Sequence, residues 1–205
     1  MSLLFPDLFS GVPVSGIEQV ENIVTPAQEA DLIRAIDAAG LAPFRFQQWL
    51  GKRLTRSFGW RYDFTDSSFA ETEAIPDWLL PLREQAATFA GLAAAQLVQA
   101  LVIRYDPGAG IGWHRDRPVF EHVVGVSLGA PATLRLRKRR PDGKFDRAEV
   151  PLAPRGAYHL SGAARHDWEH SIAPMDASRW SVTFRSLTAY SAAKSIGSFL
   201  SSVVD

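Results

Sequence analysis

From Leu97 onward the chain falls into seven short runs rich in β-branched and aromatic residues: 97–105, 122–128, 133–138, 148–152, 157–160, 168–173 and 179–187. Pro, Gly or Asp separates them, and Pro141-Asp142-Gly143 is a hairpin turn signal. Runs this short and this closely spaced leave no room for crossover helices. They predict antiparallel strands in two packed sheets.

Two helices are predicted ahead of these strands. Thr25-Pro26-Ala27-Gln28 has an N-cap, a proline at the first helical position and a glutamine three residues after the cap. Leu32, Ile33 and Ile36 follow at helical spacing, with Gly40 as a C-cap. Residues 78–90 read as a second helix, with Pro76 and Pro81 near its start and Gly91 at its end. A short strand is expected near Val20 to Val24.

The predicted fold is α+β, mainly β: a double-stranded β-helix (jelly roll) core with flanking N-terminal helices. It is one domain over 1–205. About 1–95 holds the helices and the aromatic-rich 44–64 segment, about 96–190 the jelly-roll core, and 191–205 a Ser/Ala-rich tail that frays or forms a last short helix.

The chain has no cysteine, which removes disulfide frameworks, thiolate chemistry and iron–sulfur clusters, so any metal must be held by nitrogen and oxygen. Its 46% hydrophobic and 21% charged content suits a globular protein. The N-terminus lacks a secretory pattern and no apolar run reaches membrane-spanning length, so a cytoplasmic location without a membrane partner is expected. The formal net charge is zero, but cations cluster at 45–61 and 135–147. Such asymmetry can steer a polyanion, although a solvated hairpin tip is an equal reading.

Residues 44–64 interleave aromatics with Arg and Lys and predict short strands or a hairpin turning near Gly51. Phe44, Phe46, Phe58 and Phe64 read as core. Trp60 and Tyr62, beside Gly59, are candidates for stacking on a base.

Leu101 to Pro118 leads through a Pro-Gly turn to His114, Arg115 and Asp116. A strand through 114–116 would aim the imidazole and the carboxylate into one cavity. His170, inside a later run, is the expected third ligand. Two His and one carboxylate form the facial triad of non-haem iron oxygenases and leave sites for co-substrate and O2. Zinc is the competing metal, but no HExxH helix supplies a base. His122, His159 and His166 are assigned structural or surface roles, with His166 after the turn-like SGAAR.

In the last run Arg179, Ser181, Thr183 and Arg185 share one face, and Trp180, Val182 and Phe184 the other. The two arginine backbones lie roughly 20 Å apart, and their heads reach toward each other to the span of a short dicarboxylate. Planar bidentate donors suit carboxylates.

RYDPGAGIGWHRD, VGVSLGAPATL, WEHSI and RWSVTFR closely resemble the AlkB-type Fe(II)/2-oxoglutarate dioxygenases, over somewhat less than half the chain. FGWRYDF is similar to that family's nucleotide-recognition lid. The resemblance implies Fe(II) on His114, Asp116 and His170, and 2-oxoglutarate held by Arg179 and Tyr105. It places Arg185 near the C1-carboxylate and the iron-binding Asp, with Ser181 beside the co-substrate. Trp60, Tyr62 and Arg115 are the candidate substrate-binding residues. O2-driven decarboxylation to succinate and CO2 would be coupled to hydroxylation of a methyl group, lost from nitrogen as formaldehyde.

Alkylated DNA or RNA is the expected partner. The alternatives are the same chemistry on tRNA, a protein side chain or a small molecule, and a non-catalytic jelly-roll binding module. Ile103 and Ser181 stand where many relatives carry Asn, Pro118 where repair members carry an acid, and Arg165 and Trp168 match relatives acting on tRNA or protein equally well.

Overall fold

The computed structural model describes residues 10–11, 13–46, 49–62 and 69–189. In chain order the elements are β1 (Ser10–Gly11), β2 (Ile17–Val20), α1 (Pro26–Ala38), β3 (Ala42–Phe46), β4 (Trp49–Phe58), β5 (Trp60–Tyr62) and β6 (Phe69–Glu71). There follow α2 (Leu80–Phe89), β7 (Leu97–Tyr105), β8 (Ile111–His114), β9 (Phe120–Gly129), β10 (Ala132–Arg139), β11 (Phe145–Leu152), β12 (Ala157–Leu160), α3 (Gly162–His166), β13 (Glu169–Ile172) and β14 (Arg179–Leu187).

Seven strands form a major sheet in the order β2-β12-β9-β14-β7-β4-β3, and five form a minor sheet, β1-β11-β10-β13-β8. β5 and β6 make a small ribbon of their own. Every strand pair is antiparallel. This is the predicted mainly β, double-sheet architecture with N-terminal helices.

Alternation divides each central strand between two cores. On β9 and β14, Val124, Val126, Leu128, Val182 and Phe184 pack with Leu32 and Ile36 of α1 and Leu82 and Ala86 of α2. The intervening residues face the minor sheet, where Val123 and Leu160 meet Leu134, Leu136, Ala148 and Val150. Toward the β7 side of this inter-sheet layer, apolar filling gives way to Arg179, Ser181, Thr183 and Arg185, all buried. A polar row inside a sandwich is costly unless it has partners, so it marks where the fold keeps a site.

Local chemistry sets the helix ends. The Thr25 side chain accepts from Gln28 N at 3.2 Å while Gln28 Oε1 accepts from Thr25 N at 2.8 Å, and Gly40 follows the C-cap at φ +67°. Arg140 N donates to Lys144 O at 2.8 Å across the Pro141-Asp142-Gly143 turn.

Several boundaries differ from expectation. The early strand is β2, 17–20 rather than 20–24. The β3–β4 register pairs Phe46 with Trp49, so the connection precedes Gly51, which lies within β4. The second helix begins as a single 3-10 turn at Asp77–Leu79, because Pro81 has no N–H to extend the α ladder backward. SGAAR is no open turn: residues 162–166 form α3, and His166 ends that helix. The tail from 191, and Phe64, lie outside the described residues.

Candidate active site

β8 ends at His114, so no strand carries Asp116; it lies in the loop 115–119 that leads into β9. Its placement comes from side chains instead. Arg185 Nε and Nη2 both donate to Asp116 Oδ1, at 3.0 and 2.8 Å. Buried Arg165 pins the same loop, with Nη2 donating to the carbonyls of Arg117 and Phe120. Alternation was the wrong reason for the convergence of His114 and Asp116.

His114 and His170 are direct cross-strand partners between β8 and β13, with ring centroids 4.3 Å apart. His114 Nδ1 lies 2.9 Å from Gly112 O, and a carbonyl only accepts, so Nδ1 carries the proton and Nε2 keeps a lone pair. His170 Nε2 stands 3.8 Å from Asp116 Oδ2, a buried oxygen with no hydrogen-bond partner. Two imidazole nitrogens and a carboxylate oxygen without a donor are a donor set for a divalent cation. Among the described residues no three such side chains already close on one point.

Electrostatics favour that use. Burial pushes the Asp116 carboxyl upward, but the Arg185 guanidinium beside it prevails and holds it well below the usual carboxylate range. Burial, reinforced by His114, lowers His170 to about 3, so its approach to Asp116 is that of a neutral imidazole and not an ion pair. Burial also lowers His114, against the pull of Asp116. Both rings are thus in the unprotonated state that a metal requires.

On the major sheet, Arg179 is 1% exposed, pairs in register with Tyr105 on β7 and lies 5.2 Å from its ring. Arg179 Nη2 donates to Ser127 Oγ at 2.8 Å, while Nε and Nη1 are buried without partners. A guanidinium with two free donors in a closed layer is shaped for a carboxylate. The two arginines are not an equal pair of clamps: Arg185 is committed to Asp116 and, through Nη1, to Gln99 Oε1 at 3.0 Å. Gln99 Nε2 in turn donates to the Trp60 carbonyl at 2.8 Å. Ser181 is buried between Ile103 and Ser127 in the pairing.

Trp60 is half-buried on β5, and the Tyr62 side chain lies outside the described residues. Arg115 is exposed and donates to the His166 carbonyl at 3.4 Å, apart from the cluster. In the 135–147 hairpin, Arg137 pairs with Glu169 at 2.6 Å, Lys138 with Asp167 at 2.7 Å, and Arg140 with Asp142 at 3.0 Å. Trp113 is flanked by Arg137 at 4.5 Å and Arg135 at 5.3 Å on the outer face of the minor sheet.

Sequence reasoning missed Ser127, Gln99 and Tyr158. Ser127 and Gln99 were findable only through register: Ser127 lies opposite Ser181, and Gln99 opposite Arg185. Tyr158 is buried opposite Gly125, where a Cβ would stand 2.3 Å from its ring, so the glycine is what lets the ring lie across β9. Burial pushes its hydroxyl up to about 12, with Arg179 the nearest opposing influence.

A double-sheet sandwich whose inner layer joins a two-His, one-carboxylate cluster to a free-handed buried arginine defines a metal-dependent enzyme that takes an acidic co-substrate. The chain belongs to the 2OG-Fe(II) oxygenase superfamily, whose family model matches residues 16–191. It is AlkB-like among these enzymes and a dioxygenase, and the family uses Fe(II), 2-oxoglutarate and O2.

It is 25% identical over 188 residues to the alkylated DNA repair protein ALKBH8 homolog of Arabidopsis thaliana, covering 80% of this chain and 52% of that protein. To the alpha-ketoglutarate-dependent dioxygenase alkB homolog 4 of Homo sapiens it is 25% identical over 213 residues, covering 86% and 68%. To the dioxygenase AlkB of Salmonella typhimurium it is 30% identical over 148 residues, covering 63% and 67%. The chain therefore spans about half the length of the first of these relatives. The structure of OsALKBH1 superposes with a TM-score of 0.67 at 16% identity, over 85% of this chain and 98% of that one, a likeness of fold.

Proposed function

We propose that this dioxygenase removes alkyl groups from nucleic-acid bases, with His114, Asp116 and His170 as the iron ligands and Arg179 as the anchor of 2-oxoglutarate. One observation carries the assignment: an orphaned carboxylate oxygen, Asp116 Oδ2, beside neutral His170, in the same layer as an arginine with two unpartnered nitrogens. Arg179, steadied by Ser127 and stacked near Tyr105, takes the far carboxylate of the co-substrate. Arg185 orients Asp116 and keeps it ionised. Iron(II) held by His114, Asp116 and His170 would, with O2, supply the oxidation that couples decarboxylation of 2-oxoglutarate to succinate and CO2 with hydroxylation of the substrate methyl. On nitrogen, the resulting carbinol releases formaldehyde.

Nucleic acid is favoured as the substrate by half-buried Trp60 on the β5–β6 ribbon and by the cations of the 135–147 hairpin. Relatives named for alkylated DNA repair support the same reading. Relatives named as tRNA methyltransferases keep tRNA as the second reading.

His114→Ala and Asp116→Ala should each abolish succinate formation from 2-oxoglutarate, and undiminished turnover in either would remove the assignment. A panel of methylated DNA and RNA oligonucleotides, scored for formaldehyde, decides the substrate. Succinate without formaldehyde from any of them would point away from nucleic acid.

A further inference from the structure

The inner layer holds a third arginine that the reading above leaves idle. Arg53 on β4 is 9% exposed, its Nε is buried without a hydrogen-bond partner, and among the described residues its guanidinium has no ion-pair partner. Its one contact of note is the Phe44 ring, 3.9 Å from Cζ, which caps one face of the guanidinium and leaves the edge donors free. β4 pairs with β7 through Leu54↔Arg104, so Arg53 falls one residue further along, beside Tyr105 and on the same inner face. Tyr105, Arg185 and His114 are the groups that feel its charge.

Each neighbouring cation already has work. Arg185 is bound to Asp116 and Gln99, and Arg165 to two backbone carbonyls. Arg179 lies two strands from Arg53, roughly 10 Å across the sheet at ordinary strand spacing. Among the described residues the layer therefore sets Arg53, Arg179 and Arg185 against one acid, Asp116. A divalent metal and a doubly charged co-substrate cancel each other and leave that excess in place. A buried cation without a counter-charge is expensive, and such sites persist where a ligand supplies the charge.

We infer that Arg53 forms an anion subsite beside the metal-ligand cluster and receives a phosphate or carboxylate group carried by the primary substrate. This rests on Arg179 serving the co-substrate. It makes Arg53 a specificity-determining residue: an otherwise matched substrate lacking the anionic group would leave a buried charge unpaired and be rejected.

The test uses the full chain loaded with Mn(II) and saturating 2-oxoglutarate, with inorganic phosphate and acetate as probes, each followed by phosphorus or carbon nuclear relaxation from the bound Mn(II). At least one probe should show saturable broadening, weakened about tenfold or more in Arg53→Gln, which loses the charged hydrogen-bond donors. Arg53→Lys should keep part of it. A preference for phosphate marks a nucleotide backbone group, and a preference for acetate marks a carboxylate on the substrate.

No saturable broadening in the wild type, or equal broadening in Arg53→Gln, overturns the inference. So does a parallel fall in 2-oxoglutarate affinity in Arg53→Gln, which would make Arg53 a co-substrate residue. Because an unpartnered charge is removed, Arg53→Gln should melt no lower than the wild type, which separates lost binding from lost fold. The titration needs no turnover, so a wild type that forms no succinate would sink the proposed reaction while leaving this result readable.

Discussion

At the residue scale the site is held by a relay: Asp116 on Arg185, Arg185 on Gln99, and Gln99 on the Trp60 carbonyl. A carboxylate that lies off any strand is thereby tied to the β5–β6 ribbon. Arg185→Gln removes the cation that overrides burial at Asp116 and breaks the bifurcated hold on Oδ1. Loss of such a supporting partner costs about 10–100-fold in metal affinity. Titration of the metal-free protein with Mn(II) should show that loss, and an unchanged affinity would show that His114 and His170 place Asp116 without help. That His114, Asp116, His170, Arg179 and Arg185 gather in one layer was legible in the sequence, because each lies in a motif or shares one strand's alternation; their roles belong to the proposal above. Ser127, Gln99 and Arg53 were not, because their importance comes from lateral neighbours on other strands, and one chain does not state its own register.

At the element scale, what was legible was local. The capping box at Thr25 and Gln28 and the full extent of β7, β12 and β14 follow from cap chemistry and from runs bounded by turn residues. The end of β8 at His114 was not legible: the loop beyond it is held by Arg165, on α3 far along the chain, through the carbonyls of Arg117 and Phe120. The far edge of the major sheet carries a separate polar string. His122 Nδ1 lies 3.0 Å from His159 Nε2, and His159 Nδ1 lies 3.5 Å from Glu18 Oε2, with Phe89 edge-on to the His159 ring. Burial holds the His159 pKa below its ordinary value, Glu18 offsetting part of this and His122 adding to it. As pH falls below about 6.5 the unfolded chain therefore takes up this proton before the folded one does, and stability declines until the folded pKa is passed. Melting temperature followed from neutral down to about pH 5 should fall more steeply for the wild type than for His159→Phe. Coincident slopes would place the acid sensitivity elsewhere.

At the scale of the whole molecule, the major sheet is a partition with oil on one side and chemistry on the other. Val182 and Phe184 look toward α1 and α2, while their neighbours Ser181, Thr183 and Arg185 look toward the minor sheet. That the chain would be a two-sheet sandwich with helices on one side was legible from strand length and spacing. Which layer would be polar was legible only on β14. Charge is distributed on the same scale: the formal total is zero, yet in the 135–147 hairpin Arg139, Lys144 and Arg147 have no acidic partner among the described residues. If these cations grip phosphates, affinity for a single-stranded oligonucleotide should fall as salt rises, with a log–log slope of about −0.7 per contact. Charge reversal at Arg139 and Lys144 should flatten that slope, and a salt-independent affinity would remove the hairpin from the interface.

The pairing of His114 with His170 also sets how this protein can change length. β8 is the outermost strand of the minor sheet, and the facing of the two imidazoles is a property of the β8–β13 register. One residue inserted or deleted within 111–114 would turn His114 outward and bring Trp113 or Arg115 into its place. Between Asp116 and β9 the loop is held differently: Arg185 grips the Asp116 side chain, Arg165 the Arg117 carbonyl, and Thr188 N donates to Val119 O at 2.9 Å. Variation in length should therefore be refused both within 111–114 and in the loop up to 119, which a scan of single-residue insertions would test directly.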